Sequence, residues 1–169
     1  MHIVITRPKE ESLNLISRLI KLGHSVTHLP VIEIIKLEVK KINFQDYEAV
    51  IFTSSNAIKY MNVEKFNYKI KCFCVGNATE STAKQFGFIN TFSSEGTVDS
   101  LIELVIRTID NKSGKLLYLS SEFISKDLDA DLIKEGYSVD RISNYTSLAI
   151  EQIDIKTLDF IKENPPDVF

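Results

Sequence analysis

The chain has 169 residues, which is enough for one ordinary domain or two small ones. Its apolar share of 44% is normal for a globular protein, and its formal net charge of −3 provides no basic field to attract nucleic acid or an anionic membrane. No apolar run is long enough to predict a membrane span and no signal-peptide pattern is present, so we expect a cytoplasmic protein with neither nucleic-acid nor membrane partners.

Short apolar segments alternate with amphipathic segments along the whole chain. Strands are expected near residues 2–6, 24–30, 48–52, 70–75, 88–92, 115–119 and 138–143. Helices are expected near residues 9–22, 55–66, 77–86, 97–110, 123–135 and 154–162. Gly23, Gly87 and Gly136 are placed to end three of the helices. Thr97 or Asp99 is placed to cap the start of the helix expected over 97–110. This alternation predicts an α/β fold with a parallel sheet covered on both faces.

Two segments far apart in the chain share one pattern. Residues 2–33 align without a gap to residues 115–146, and each copy reads as a strand, a helix closed by glycine and a second strand. Any two βαβ units share this pattern, but the repeat also indicates two similar modules with a ligand between them. The β-rich segments 31–40 and 145–155 predict a two-stranded linker. The expected division is an outer domain (1–32 and 154–169), linker strands (33–40 and 144–153) and an inserted domain (41–143).

The predicted outer domain contains too few elements to cover its own apolar surface. Its first strand, Ile3-Val4-Ile5, is apolar on both sides, and the segment 164–169 reads as the entry into a further core strand. We therefore expect the outer domain to be incomplete in this chain. Uncovered apolar surface and free strand edges favour association, so self-association through this domain is a further expectation.

Polar loops follow several predicted strands, at the positions where ligands bind in open parallel sheets. Free N–H groups at helix N-termini can hold a carboxylate or phosphate, and an arginine can bind an anion through two donors. The candidate substrate-binding residues are Arg7, Thr53, Ser54, Ser55, Asn56, Gly76, Asn77, Thr79, Ser120 and Ser121. Ordinary helix capping and a surface arginine are the alternative explanations for these residues.

Several familiar motifs are missing from the sequence. There is no Walker A motif, no GxGxxG, no GxSxG and no cysteine–histidine cluster with zinc spacing, so neither nucleotide phosphate binding nor a metal site nor an obvious nucleophile has motif support. Cys72 and Cys74 alternate in a strand and are expected to be buried, reduced thiols on one face. Tyr145 follows the second repeat, where its phenol could donate a hydrogen bond in an interdomain cleft or simply pack across strands.

Taken together, these segments resemble the uroporphyrinogen-III synthase family. The matching motifs occur in the family's order along the chain: ITRP, FTSSNA, VGNAT and LIKEGYSVDRISNYTS. The resemblance implies two flavodoxin-like parallel-sheet domains joined by a two-stranded linker. It also implies the cyclisation of hydroxymethylbilane, a linear tetrapyrrole carrying acetates and propionates, to uroporphyrinogen III with inversion of ring D. This lyase reaction belongs to haem biosynthesis and uses no metal and no organic cofactor.

The resemblance also assigns roles to residues. The family's favoured acid is a tyrosine matched here by Tyr145, and a threonine matched by Thr79 is tied to function. The family's chains are longer and finish the outer domain beyond the point where this one stops, so this chain is expected to be a shortened form or a fragment. Two alternatives to an active enzyme therefore stay open: an inactive fragment of the synthase, or a non-catalytic flavodoxin-like module that binds an anion or regulates a partner.

Overall fold

A computed structural model describes residues 1–110 and 112–169. The strands are β1 (His2–Ile5), β2 (Ser25–His28), β3 (Ile32–Lys36), β4 (Ile42–Asn43), β5 (Ala49–Phe52), β6 (Val63–Lys65), β7 (Lys71–Cys74), β8 (Thr91–Ser93), β9 (Lys115–Ser121) and β10 (Ser138–Ala149). The α-helices are α1 (Lys9–Lys21), α2 (Ser55–Lys59), α3 (Asn77–Gln85), α4 (Val98–Thr108), α5 (Leu128–Lys134) and α6 (Ile155–Glu163). None of these helices combines the length and the apolar character that a membrane span requires.

The described chain divides into two compact units. Unit 1 comprises Met1–Ile35 and Ser147–Phe169, and unit 2 comprises Lys36–Thr146. The second boundary falls inside β10. Backbone hydrogen bonds join Ile150 to Val31 in unit 1 and Leu37 to Asn144 in unit 2, so the residues around β3 run antiparallel to β10. The division into an outer domain, a linker and an inserted domain stays a prediction.

Unit 2 is built on a five-stranded parallel sheet in the order β10-β9-β5-β7-β8. The parallel α/β class expected from the alternating pattern is therefore confirmed. When β5, β7, β8, β9 and β10 are numbered 1 to 5 along the chain, the spatial order read from the β8 edge is 3-2-1-4-5. Flavodoxin has the order 2-1-3-4-5. The difference arises because the connection from β8 crosses back over β5 to reach β9. This crossing creates a topological switch point between β5 and β9, where open α/β sheets bind ligands at the carboxyl ends of their strands.

Both faces of this sheet are buried. On one face α4 and α5 pack against a cluster that includes Ile51, Phe73 and Leu116. Thr97 caps α4 in a capping box with Ser100, as one of the two predicted caps. The other face carries the alternate residues of the same strands and is covered by α2 and α3. Unit 2 thus has the two-sided apolar core that holds a parallel sheet together.

Cys72 and Cys74 lie on the α3 side of β7, where both are fully buried and free. Their sulfur atoms are 3.8 Å apart, which confirms the prediction of a shared face. The hydrogen bond shared with the Cys74 thiol, together with burial, raises the pKa of Cys72. The pair therefore packs as a small apolar group.

Two helices are shorter than predicted, because tertiary contacts outweigh local helix propensity. The helix expected over 55–66 ends at Lys59, and Val63 pairs instead with Ile42 in the short ladder of β4 and β6. Phe66 then packs between Phe44 and Phe88, with ring centroids 5.3 and 4.9 Å away. The helix expected over 123–135 begins only at Leu128. The residues before it are held in a loop whose contacts belong to the candidate site described below.

The strand expected over 88–92 forms only at Thr91–Ser93. Gly87 ends α3 with a φ of 101°, and the N–H of Phe88 donates to the carbonyl of Ala83. This is a glycine-based helix end in which the residue after the glycine provides an apolar anchor. Phe88 is consequently buried beneath α3 rather than paired in the sheet.

Unit 1 is smaller and less buried. The strands β1 and β2 form a parallel pair, and α1 connects them, beginning after Pro8 and ending before Gly23 at a φ of 84°. On its other side β1 makes one parallel bridge, from Ile3 to Val168. The apolar residues of this unit with more than 40% of their surface exposed include Leu13, Ile20, Leu22, Ile155, Phe160 and Phe169.

We expect the backbone amides of β1 to exchange with solvent hydrogen faster than those of β5. Every residue of β5 is fully buried between two parallel neighbours, whereas β1 lies in a two-stranded sheet with one further bridge. Strands with few buried apolar contacts open locally at a lower free-energy cost. Native-state hydrogen exchange followed by NMR measures both sets of amides in one sample. Equal protection of Val4 and Ile51 would contradict the expectation.

Candidate functional site

A cavity of about 340 Å³ lies at the switch point of unit 2, over the carboxyl ends of β5 and β9. Loops that follow the parallel strands contribute to its wall, and β10 closes it. The polar and aromatic residues that line it are Thr53, Tyr118, Ser121, Phe123, Ser125, Lys126 and Tyr145. Its volume is at the low end of the roughly 300–1,000 Å³ typical of small-molecule sites, so it can hold one substituted ring.

Tyr145 closes the cavity from β10. The register between β10 and β9 shifts by one residue, because Ser143 pairs with Ser120 while Tyr145 pairs with Ser121. Such a shift locally bends a strand and changes the direction of its side chains. The carbonyl of Tyr145 also accepts a hydrogen bond from the N–H of Glu122 at 2.9 Å. The tyrosine is 7% exposed, so its ring is held in a defined position at the edge of the cavity.

Arg141 fixes the loop that follows β9. Its guanidinium donates to Ser120 Oγ and to the carbonyls of Ser121 and Glu122, each at 3.0 Å. A planar fork of donors can satisfy several acceptors at once in a way that a lysine cannot. These contacts, with the Tyr145–Glu122 hydrogen bond, hold residues 121–123 out of a helix and explain why α5 starts late. The cavity wall formed by Ser121 and Phe123 depends on these hydrogen bonds of Arg141.

Thr53 and Tyr118 face each other across the switch point. Their hydroxyl oxygens are 3.1 Å apart, within hydrogen-bonding distance. Tyr118 is 1% exposed, and burial raises the pKa of its phenol above the ordinary value, with Thr53 and Arg141 acting in the opposite direction. The phenol therefore stays protonated at neutral pH and can donate.

Lys126 supplies a positive charge to the cavity wall. Its ammonium group donates to Asp99 at the start of α4 and lies 3.8 Å from Asp131 Oδ2. The hydrogen bond to Asp99 raises the pKa of the lysine, so the ammonium group remains charged. A carboxylate entering the cavity would have to compete with Asp99 for this cation.

The two predicted helix N-termini differ, because α2 is capped by a side chain and α3 is not. Ser54 caps the single-turn helix α2 by accepting from the N–H of Asn56, and Ser55 accepts from the hydroxyl of Thr82. Gly76 precedes α3 in extended backbone, where a Cβ would lie 3.5 Å from the Gly96 Cα, an ordinary contact. The backbone of Gly76 therefore lies next to that of Gly96.

Three further predicted residues lie outside the cavity wall. Asn77 accepts a hydrogen bond from Ser93 at 3.2 Å, and Thr79 is 6% exposed in the first turn of α3. Arg7 belongs to unit 1, where its exposed guanidinium pairs with Glu11 at 3.0 Å. Of the predicted site residues, Thr53, Ser121 and Tyr145 line the cavity, and Ser120 supports it from behind. The roles of all these residues in binding stay predictions.

Tyr118, Lys126 and Arg141 are among the residues of this site that sequence reasoning missed. Tyr118 and Arg141 could have been recognised from the sequence, because each places a polar group within an apolar strand. Tyr118 places a hydroxyl in KLLYLS, and Arg141 places a guanidinium in SVDRIS. Polar groups in buried strands need partners, so both could have been interpreted as functional. Lys126 could not have been recognised in this way, since a lysine near a helix start is common on protein surfaces.

The chain matches the family model described as uroporphyrinogen-III synthase HemD over residues 14–168. Among curated proteins, the porphyrin biosynthesis protein HemD of Ruminiclostridium josui is 26% identical over 164 residues. That alignment covers 89% of this chain and 32% of the relative. The chain therefore spans about a third of the length of the curated relative it matches.

Solved structures show the same fold. Uroporphyrinogen-III synthetase from Helicobacter pylori 26695 superposes with a TM-score of 0.59 at 19% identity, covering 84% of this chain and 63% of that one. A mutant uroporphyrinogen III synthase from the extremely thermophilic bacterium Thermus thermophilus superposes with a TM-score of 0.54 at 14% identity, covering 89% and 64%. The chain accordingly spans somewhat less than two thirds of either solved protein.

Proposed function

Because the chain belongs to the uroporphyrinogen-III synthase family, we propose that it acts in haem biosynthesis by converting hydroxymethylbilane to uroporphyrinogen III with inversion of ring D. The observation that carries this proposal is the hydroxyl-lined cavity at the switch point, closed by Tyr145. It offers space for one ring of a linear tetrapyrrole, neutral donors for ring substituents and one cation for a carboxylate. The binding would concern one end of the substrate, since the whole tetrapyrrole exceeds the cavity.

In this proposal, Tyr145 assists the departure of the substrate hydroxyl. The phenol donates its proton to that hydroxyl while the carbon–oxygen bond breaks, so water leaves and an azafulvene cation remains. The ring D carbon that carries the bridge attacks this cation and forms a spiro intermediate. The old bridge bond to that carbon then breaks, which regenerates an azafulvene cation, and this cation recloses on the other α-carbon of ring D, so that ring D is inverted. When the final carbon–carbon bond forms, the proton released from the attacked pyrrole returns to the phenolate. The rest of the cavity holds the reacting ring in place.

The test is to incubate the chain with enzymatically made hydroxymethylbilane and to separate the products by chromatography. Uncatalysed closure gives isomer I, so the proposal requires isomer III in excess over a protein-free control. Isomer I alone, with saturable binding of uroporphyrin III, would indicate an inactive fragment of the synthase. Isomer I alone without such binding would favour a module that binds some other anion or regulates a partner.

Lys126→Met is expected to weaken the binding of uroporphyrin III about two- to fivefold, the modest effect typical of an exposed charge pair. Asp99→Asn should strengthen binding by a similar factor, because it removes the carboxylate that competes for the lysine. Fluorescence titration of the porphyrin measures both changes.

Lys134→Met is the matched control for these variants. Lys134 pairs with Asp131 at 2.9 Å on α5 but does not line the cavity. Its removal changes the net charge by the same amount and should leave the affinity near that of the wild type. If all three variants changed affinity in proportion to net charge alone, the assignment of Lys126 to the site would be wrong.

A further inference from the structure

Tyr118 has a hydroxyl group that core packing does not require. Its ring belongs to the apolar cluster between the sheet and helices α4 and α5, which also contains Ala49, Ile51 and Leu116. A phenylalanine ring would fill the same space. The hydroxyl instead reaches the cavity, where its oxygen lies 3.1 Å from Thr53 Oγ1.

The hydroxyls of Thr53 and Tyr118 share one hydrogen bond, so one of their two donor protons is not used in it. Each hydroxyl carries a single donor proton and can also accept. Whichever of the two donates to the other, the second proton remains available, and among the described residues neither hydroxyl has another partner. Because both residues line the cavity, that proton is available to a ligand inside it. The hydrogen bond between the two hydroxyls polarises the hydroxyl that carries this proton, and the polarisation strengthens its hydrogen bond to the ligand.

The surroundings keep this pair neutral and donating. Burial holds the phenol of Tyr118 in its protonated form, as described above. The neighbouring Arg141 has its guanidinium engaged by Ser120, Ser121 and Glu122, so it contributes positive potential near the pair. Asp129 acts on the phenol pKa in the opposite direction to Arg141, so the feature that suits an anionic oxygen is the neutral hydroxyl donor itself.

We propose that Tyr118 is a substrate-binding residue that acts together with Thr53 as a single donor to a carboxylate oxygen of the bound ring. This inference rests on the proposed function, which supplies the carboxylate-bearing ligand. The pair lies beside Tyr145 in the same cavity, so it fixes the ring while Tyr145 delivers the proton. Its loss should therefore raise KM and leave kcat almost unchanged.

A double-mutant cycle tests the pair. Tyr118→Phe should raise the Kd for uroporphyrin III about tenfold, the loss of one hydrogen bond to a charged group. Thr53→Val should raise the Kd less, because Tyr118 keeps its own donor proton and loses only the supporting hydrogen bond. The double variant should lose no more than Tyr118→Phe, because the two hydroxyls act as one donor. Thr53→Ser keeps a hydroxyl and should retain near wild-type affinity. Thermal unfolding followed by circular dichroism checks that each variant is folded.

Tyr137→Phe is the matched control. Tyr137 belongs to the same core cluster and donates its buried hydroxyl to the Ile109 carbonyl at 2.9 Å, but it does not line the cavity. Its loss should leave the Kd unchanged. Wild-type affinity in Tyr118→Phe, or losses that multiply in the double variant, would overturn the inference.

The outcome for the wild type separates this inference from the proposed function. Binding of uroporphyrin III without formation of isomer III rejects the proposed activity and still allows the cycle to decide the role of Tyr118. Isomer III formation with no response to Tyr118→Phe rejects Tyr118 alone. Absence of both binding and isomer III from the wild type overturns the two together.

Discussion

Tyr145→Phe is expected to slow the formation of uroporphyrinogen III about 10²-fold while leaving the fold intact. General acid assistance typically contributes about 10²–10⁴-fold, and the lower end applies because the hydroxymethyl group ionises readily without help. Tyr145 is 7% exposed and its backbone is held by a hydrogen bond from Glu122. Phenylalanine therefore keeps the packing of the ring and removes only the hydroxyl group. Initial rates of isomer III formation, measured before uncatalysed closure contributes, give the effect.

The control for this prediction is Tyr68→Phe. Tyr68 is 58% exposed, packs on Phe66 and lies outside the cavity, so its phenol should be irrelevant to the rate. A Tyr145→Phe variant as fast as wild type would remove this phenol from the mechanism. The residue would then be a cross-strand packing aromatic, the alternative that the sequence left open.

The fold class could be predicted because periodicity reports on burial. Strands such as Ala49–Phe52 are buried on both faces and read as continuous apolar runs, and the glycines at helix ends mark left-handed backbone. The strand order could not be read in the same way. It depends on which way the chain turns after β8, and local sequence carries no record of that choice.

The errors in the predicted elements share one physical cause. Val63 and Phe66 fit a helix pattern, but pairing with Ile42 and contact with Phe44 favour an extended segment. Likewise the residues after Ser121 are held in a loop by Arg141, which lies 20 positions further along the chain. Long-range contacts of this kind override propensities worth only fractions of a kcal/mol per residue.

The candidate site was only partly predictable for a related reason. Thr53 follows β5, Ser121 is the last residue of β9, and Tyr145 pairs with Ser121 across the register shift in β10. Topology alone brings the carboxyl ends of β5 and β9 to one edge of a sheet. Tyr118 comes from within a strand and reaches the site only because its side chain is long. Some loop residues face the cavity and others, such as Ser54, cap a helix. Local backbone geometry decides between these two roles, and composition does not specify that geometry.

Phe73→Ala is expected to destabilise unit 2 by about 3–5 kcal/mol, the cost of emptying a large buried aromatic site. Phe73 is fully buried in the interior strand β7 and stacks on Phe92, with the ring centroids 5.1 Å apart. Domains of this size are stable by roughly 5–15 kcal/mol, so the variant should fold but open far more often. Because Cys72 and Cys74 flank Phe73 and are buried, the rate at which a thiol reagent labels them reports on that opening.

Phe123→Ala separates stability from binding. Phe123 is 71% exposed at the cavity, so its removal should change the unfolding free energy by less than about 0.5 kcal/mol and leave thiol labelling slow. It should nevertheless weaken uroporphyrin III binding, because an aromatic face of the cavity is lost. Phe73→Ala should show the opposite pattern at low temperature, with fast labelling and near wild-type affinity in the folded fraction. Fast labelling in Phe123→Ala, or unchanged labelling in Phe73→Ala, would contradict the core and cavity assigned to unit 2.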